Sequence, residues 1–143
     1  MAGNIRIPWK ALKILSTTKD PDEYKIEANK ILANHRPIML LNRVLLAVYI
    51  SPEDLGTTGK LVKTDEAIAE DIWQSKVGLI IAKGPAAFVS DTNTFFYDQT
   101  IEEGEWVTAA VNNCKQLEIN GMPCRIVEDR FIEAKFFDPR VVW

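Results

Sequence analysis

The pattern of apolar and polar residues separates one helical stretch from a longer β-type region. Within residues 20–36, the apolar residues that recur at the spacing of one helix face are Tyr24, Ala28, Ile31 and Leu32. Asp20 is a suitable N-cap, and Pro37 prevents the helix from continuing, so we expect it to end near Asn34. The pattern predicts one helix whose apolar stripe covers part of the β region.

From residue 38 onward, short apolar or alternating runs are separated by turn residues, which is the pattern of an all-β unit. The predicted strands are 44–50, 77–83, 106–111, 116–119 and 122–127. The last two form the clearest local signal, because Asn120-Gly121 between them is the preferred two-residue hairpin turn. Counting outward from that turn pairs Leu117 with Cys124.

Residue types used in catalysis and metal binding are sparse. The chain has two cysteines, Cys114 and Cys124, and one histidine, His35, from which no known zinc spacing can be assembled. The predicted hairpin places Cys114 opposite Val127, so we expect two small packing residues and no disulfide. The sequence also predicts one acidic turn that is exposed to solvent, and it contains Glu102, Glu103 and Glu105. We therefore expect a protein that is not an enzyme, with no metal and no cofactor.

Charge is distributed unevenly along a chain whose net charge is −3. Residues 1–38 carry seven basic and four acidic side chains, whereas residues 39–143 carry ten and sixteen. Residues 1–19 carry four basic and no acidic side chains among interleaved apolar ones, so this arm is expected to dock on a partner, with a merely solvated tail as the alternative. Its predicted partner-binding residues are Arg6, Trp9, Lys10 and Lys13.

The apolar runs of the chain bear on its location and on its C-terminal tail. No run approaches the ~20 residues of a membrane span, and the first residues do not resemble a secretory signal, so we expect a cytoplasmic protein without a membrane partner. The sequence lacks the pattern of interleaved basic and aromatic residues that would predict specific nucleic-acid binding. The tail 138–143, which ends in Trp143, is expected to pack either on its own subunit or on a neighbouring one.

Four segments of the β region together form a recognisable series: 43–46 (RVLL), 78–85 (GLIIAKGP), 103–107 (EGEWV) and 117–132 (LEINGMPCRIVEDRFI). In sequence and in order they resemble the GroES-like co-chaperonin (chaperonin-10) family, and the resemblance extends from about residue 41 to 137. Segments 73–88 and 137–143 resemble a divergent branch of that family encoded by tailed phages. The resemblance implies a small, partly open β-barrel that forms rings and has no catalytic residues. We assign this barrel to residues 38–143, after the arm and helix of residues 1–37, which ordinary members of the family lack.

The resemblance also implies that the loop from about residue 53 to 65 matches the family's mobile loop, whose apolar tip contacts the chaperonin. The tip residues in this chain are Gly59, Lys60, Leu61 and Val62. Lys60 replaces the first apolar residue of the tip, where a buried anchor contributes roughly 1.5 to 3 kcal/mol. We therefore expect docking on a chaperonin to be weakened.

Together these observations predict a non-enzymatic virion protein of a tailed phage, namely a capsid decoration or cement subunit with a GroES-like fold. Its expected partners are the capsid protein and copies of itself, and its expected location is the virion, after assembly in the host cytoplasm. The alternative is a phage-encoded co-chaperonin of the host cytoplasm, which caps a host chaperonin through Leu61 and Val62.

Overall fold

The structure is a computed structural model that describes residues 20–49, 74–89 and 101–142. Within these ranges the protein is mainly β, with one α-helix and one antiparallel six-stranded sheet. The elements are α1 (Pro21–Leu32), β1 (Arg43–Val48), β2 (Val77–Lys83), β3 (Trp106–Ala109), β4 (Lys115–Ile119), β5 (Met122–Glu128) and β6 (Ile132–Phe136). The strand order is β4-β5-β1-β2-β3-β6, and in the described part of the chain β4 and β6 are the edges of an open sheet. The mainly β class expected from the sequence is confirmed.

Helix α1 has the cap and the buried face that its sequence predicts. The carboxylate of Asp20 accepts a hydrogen bond from the backbone N–H of Asp22 at 2.9 Å, and Pro21 occupies the first turn. The predicted face is buried in full: Tyr24, Ala28, Ile31 and Leu32. The helix ends at Leu32, earlier than expected, because residues 33–35 form a turn in which the His35 N–H bonds to the Leu32 carbonyl at 2.9 Å. His35 is exposed at the helix end, as its position predicts.

The helix is fastened to one face of the sheet at both of its ends. Three aromatic rings, whose centroids lie 5.2 to 5.5 Å apart, pack together near its start: Tyr24, Tyr49 and Trp106. The Tyr24 hydroxyl also donates a hydrogen bond to the Val48 carbonyl at the end of β1. Near the helix end, the side-chain amide of Asn120 in the hairpin turn donates to the Ile31 carbonyl at 2.7 Å. The apolar stripe of α1 thus covers the sheet, as expected.

The central strands β1 and β2 are buried on both faces. The helix-side core contains Leu45, Leu79 and Trp106, among others. The opposite core contains Val44, Leu46, Ile80 and Phe88, among others. Strand register shifts between Leu45 and Leu46, which leaves Ile81 of β2 without a directly paired residue. Such a bulge bends a sheet and increases its local twist.

The predicted hairpin is present in the predicted register. Leu117 pairs with Cys124, and the turn residues Asn120 and Gly121 have φ of 48° and 79°, the left-handed values that this two-residue turn requires. Both cysteines are free. Cys124 is buried in the helix-side core, whereas Cys114 packs against the opposite core, so the two thiols serve different faces of the sheet. Their predicted role as packing residues is confirmed.

Four of the five strand predictions need correction at their ends, and the two hairpin strands, β4 and β5, each extend one residue beyond the predicted bounds. The predicted strand 44–50 runs from Arg43 to Val48, and the predicted strand 106–111 stops at Ala109, since Val111–Asn113 forms a 3-10 turn. Strand β6 was not predicted, because its mostly exposed residues provide only a weak alternating pattern. Strand β2 matches its predicted bounds.

The C-terminal segment folds back onto its own subunit as far as it is described. Pro139 is buried, and Val142 packs against the helix-side core. The carboxylate of Asp138 accepts from the backbone N–H of Arg140 at 2.9 Å and forms an ion pair with its guanidinium at 2.8 Å. Pro139 and Val142 thus pack on their own subunit, whereas Trp143, on which the prediction for the tail depends, lies outside the described residues.

Burial of Cys124 makes protein stability depend on pH in the alkaline range. Burial raises the pKa of this thiol from 9.0 to about 12, with smaller effects from a backbone hydrogen bond at Ile119 and from the charge of Glu118. Above pH 9 the unfolded chain loses this proton while the folded chain retains it. The contribution is therefore complete below pH 9 and is lost as the pH rises towards 12, by up to about 1.4 kcal/mol per pH unit.

Urea unfolding of the wild type and of Cys124→Ala at pH 8, 9.5 and 10.5 measures this contribution. We expect the stability advantage of the wild type to shrink across the series, because the variant lacks the titrating thiol. Cys114→Ala is the comparison variant: burial also raises the pKa of the Cys114 thiol, opposed by the charge of Arg125, so the advantage of the wild type over this variant should shrink in the same direction. An advantage over Cys124→Ala that stays constant with pH would contradict the assigned pKa.

Candidate functional site

The segment between α1 and β1 exposes three large aliphatic side chains within four consecutive residues. Ile38, Leu40 and Leu41 are 90%, 66% and 65% exposed, whereas Met39 between them is buried in the helix-side core. We call this exposed group the 38–41 ledge. Single exposed aliphatic residues are ordinary, but several that adjoin one another characterise surfaces that contact other proteins.

Leu41 is held in a backbone conformation that its side chain disfavours. Its φ is 53°, in the left-handed region that is uncommon for a bulky residue. It occupies a tight turn in which the Arg43 N–H donates to the Leu40 carbonyl at 3.1 Å, and its own carbonyl accepts from the Ala86 N–H at 2.9 Å. Such conformations persist only where neighbouring structure enforces them, and they concentrate at functional sites.

The turn after β2 helps to enforce the left-handed conformation of Leu41, because its backbone lies very close to the backbone around that residue. The Gly84 N–H donates to the Arg43 carbonyl at 2.8 Å. A Cβ atom at Gly84 would lie 2.9 Å from the Leu40 carbonyl oxygen and closer still to that of Leu41. Glycine is therefore required here for the turn to lie directly against the base of the 38–41 ledge.

The buried carboxylate of Asp129 also helps to hold the turn at Leu41 in place. Asp129 is 5% exposed, and its two oxygens accept from the Asn42 side-chain amide at 2.9 Å and from the Phe88 N–H at 3.1 Å. The Asp129 N–H also donates to the Asn42 carbonyl at 3.0 Å. Phe88 is itself left-handed, with φ of 55°. One carboxylate thus joins the start of β1, the turn after β2 and the end of β5 into a rigid corner beneath the 38–41 ledge.

The acidic turn before β3 is built from ion pairs, as its solvated character predicts. Glu102 and Glu105 pair with Lys83 and Lys135, each at 3.3 Å. The Glu105 carboxylate also accepts from the Glu102 N–H at 2.9 Å. These carboxylates therefore stabilise the turn and its neighbouring strands.

Arg125 is a buried cation whose contacts are structural. Its Nη1 donates to the Ser75 carbonyl just before β2, and burial lowers the pKa of the guanidinium, opposed by the charge of Cys114. Among the described residues, no group of three or more His, Cys, Asp or Glu side chains is placed to hold a metal ion. Nor does any helix within residues 20–49, 74–89 and 101–142 combine the length and apolarity needed to cross a membrane. The 38–41 ledge is the feature of this region that most resembles an interaction site.

The binding residues predicted from the sequence all lie outside the described residues. These are the arm residues Arg6, Trp9, Lys10 and Lys13, the loop tip Gly59, Lys60, Leu61 and Val62, and Trp143. The 38–41 ledge is not among the binding residues that the sequence predicts. Its signal was four consecutive apolar residues between a helix-ending proline and a strand, where a polar connection is usual.

Comparisons with known proteins add no family assignment. The chain matches no protein-family model, and a search of curated proteins returned no match to it.

The strain at Leu41 predicts an unusual effect of substitution. Asn tolerates the left-handed region better than Leu, and little packing is lost at an exposed site, so Leu41→Asn should relieve strain. Leu40→Asn is the matched control, because Leu40 is equally exposed and does not have a positive φ. We expect Leu41→Asn to be more stable than Leu40→Asn by about 1 kcal/mol in urea unfolding. Equal stabilities of the two variants would show that Leu41 carries no strain.

Proposed function

We propose that the protein is a non-enzymatic assembly subunit of a tailed-phage virion, a capsid decoration or cement protein that docks on capsid protein through the 38–41 ledge. The observation that carries this proposal is the exposure of three adjoining aliphatic side chains on a backbone corner made rigid by Asp129 and Gly84. A rigid apolar surface loses little conformational entropy when it binds, which suits a permanent contact on a particle.

The GroES-like barrel and the phage origin in this proposal derive from the sequence resemblance. Two features of the fold support the barrel: the central strands are covered on both faces, and a bulge between β1 and β2 favours a sheet that curls. The phage origin rests on the resemblance alone. The proposed partners are the capsid protein and further copies of this chain. The proposed location is the virion, after assembly in the host cytoplasm.

The 38–41 ledge can be tested by loading the full-length protein onto capsid shells of the source phage that lack it. Ile38→Ser combined with Leu40→Ser removes two exposed aliphatic side chains without emptying the core, so we expect a melting temperature near that of the wild type. We expect shell occupancy to fall at least about tenfold, which corresponds to a loss of about 1.4 kcal/mol of binding free energy.

Phe137→Ser combined with Val141→Ser is the matched control, because these side chains are also exposed and apolar but lie outside the 38–41 ledge. Its occupancy should match that of the wild type. Full loading of the Ile38→Ser, Leu40→Ser variant, or equal losses in both variants, would contradict the assignment of the docking surface.

The alternative function, capping of a host chaperonin, has its own test. We expect the protein to give little ATP-dependent refolding of a stringent chaperonin client, because Lys60 occupies the expected apolar tip. The reference is an authentic co-chaperonin in the same assay. A refolding yield equal to that reference, lost in Leu61→Ser combined with Val62→Ser, would replace the decoration proposal with the co-chaperonin one.

A further inference from the structure

A second surface, different in chemistry from the 38–41 ledge, lies on the side of α1 that faces away from the sheet. It is an open groove of about 660 Å³ that extends to the residues just after the helix. Its described lining consists of Lys25, Ile26, Asn29, Lys30, Ala33 and Arg36. Three of these six side chains are cationic and none is acidic. We call it the α1 groove.

The guanidinium of Arg36 is fixed in the wall of the α1 groove. Its Nη2 donates to the side-chain oxygen of Asn29, and its Nη1 donates to the Ile81 carbonyl of β2 at 3.4 Å. Asn29 is oriented in turn by a hydrogen bond from its amide to the Lys25 carbonyl at 2.7 Å. These bonds use two of the five guanidinium N–H donors, and the Arg36 side chain is exposed, so donors remain for a carboxylate.

The two lysines add positive charge along the same helix face. Lys25 Nζ lies 6.0 Å from the centroid of the Trp106 ring, a cation–π arrangement that restrains it. Lys30 forms an exposed ion pair with Glu27, in which Nζ lies 3.3 Å from the carboxylate. Among the ion pairs of the described residues, Glu27 is the acidic partner of this groove lysine. An exposed pair of this kind is weak, so an incoming carboxylate can compete for Lys30.

The floor of the α1 groove is apolar, and this distinguishes between classes of anionic ligand. Ile26 is 55% exposed, and Ala33, about two helical turns further along, is also exposed. Inorganic phosphate or a nucleic-acid backbone would satisfy the cations but leave Ile26 in water. A polypeptide can supply carboxylates and an aliphatic side chain together.

We propose that the α1 groove binds an acidic segment of a partner polypeptide that carries a branched aliphatic side chain. Carboxylates of the segment pair with Lys30 and Arg36, and the aliphatic side chain packs on Ile26. This inference goes beyond the proposed function and does not depend on it, because the 38–41 ledge and the α1 groove share no residue.

The experiment uses the full-length protein and a synthetic, fluorescein-labelled peptide with the sequence TDEAIAEDIW. This sequence, which occurs at residues 64–73 of the chain, has four carboxylates, two isoleucines and no basic residue. Fluorescence anisotropy should show saturable binding that weakens when NaCl is raised from about 50 to 300 mM, because salt screens exposed charges. Absence of saturable binding would overturn the proposal.

Two double variants test whether the peptide binds in the α1 groove. Lys30→Gln combined with Arg36→Gln should weaken binding at least about tenfold. Lys115→Gln combined with Arg130→Gln removes one lysine and one arginine elsewhere and should leave affinity unchanged. Circular dichroism and melting temperature establish that each variant folds. Equal affinity losses in both pairs would show a nonspecific charge effect and overturn the proposal.

The apolar contact is tested with a double-mutant cycle. Ile26→Ser should weaken binding of the original peptide and have little effect on a peptide in which both isoleucines are serine. Additive effects in this cycle would contradict the packing on Ile26. A single-stranded oligonucleotide that binds as tightly as the peptide, and loses binding in the Lys30→Gln, Arg36→Gln variant, would make the groove a nucleic-acid site and overturn the proposal.

Discussion

The structure depends on the burial of β1 on both of its faces. Five of its six residues, Val44 to Val48, are buried, so one apolar layer must cover each side of the strand. Helix α1 covers one side, and the turn after β2, with Phe88, covers the other. Without either cover, aliphatic side chains of the central strand would be exposed to water, at a cost of about 25 cal/mol for each Å² of apolar surface.

This constraint also determines where the exposed apolar residues lie. The chain must pass from a helix on one face of the sheet into the central strand through residues 33–42. Met39 enters the helix-side core on the way, whereas its neighbours Ile38 and Leu40 point to solvent. A short connection at the end of a central strand cannot bury consecutive side chains on the same side. An apolar run in this connection therefore produces an exposed surface.

The corner beneath the 38–41 ledge shows how the fold maintains an unfavourable conformation. Left-handed backbone at Leu41 and Phe88 costs of order 1–3 kcal/mol at each residue. The hydrogen bonds of Asp129 to Asn42 and Phe88 satisfy groups that burial would otherwise leave unpaired, and this offsets the cost. The same bonds fix the backbone beside the 38–41 ledge. Rigid apolar contact favours slow dissociation, while exposed cations such as those of the α1 groove favour fast association.

The sequence by itself determined the local elements of this protein. The spacing of Tyr24, Ala28 and Ile31 predicts the helix face, and Asn120-Gly121 predicts the hairpin and its register, because both signals depend on residues a few positions apart. Strand β6 escaped prediction, since its exposed residues gain their order from pairing with β3.

Only the tertiary structure determined which side chains form the 38–41 ledge and the α1 groove. Asp129 meets Asn42 across 87 positions, and Arg36 meets Ile81 across 45, and no periodicity in the sequence encodes such pairs. These long-range hydrogen bonds hold Leu41 in its strained turn and fix Arg36 in the α1 groove. Side-chain exposure and backbone strain result from which distant segments pack together, and for that reason the 38–41 ledge became visible only in the folded chain.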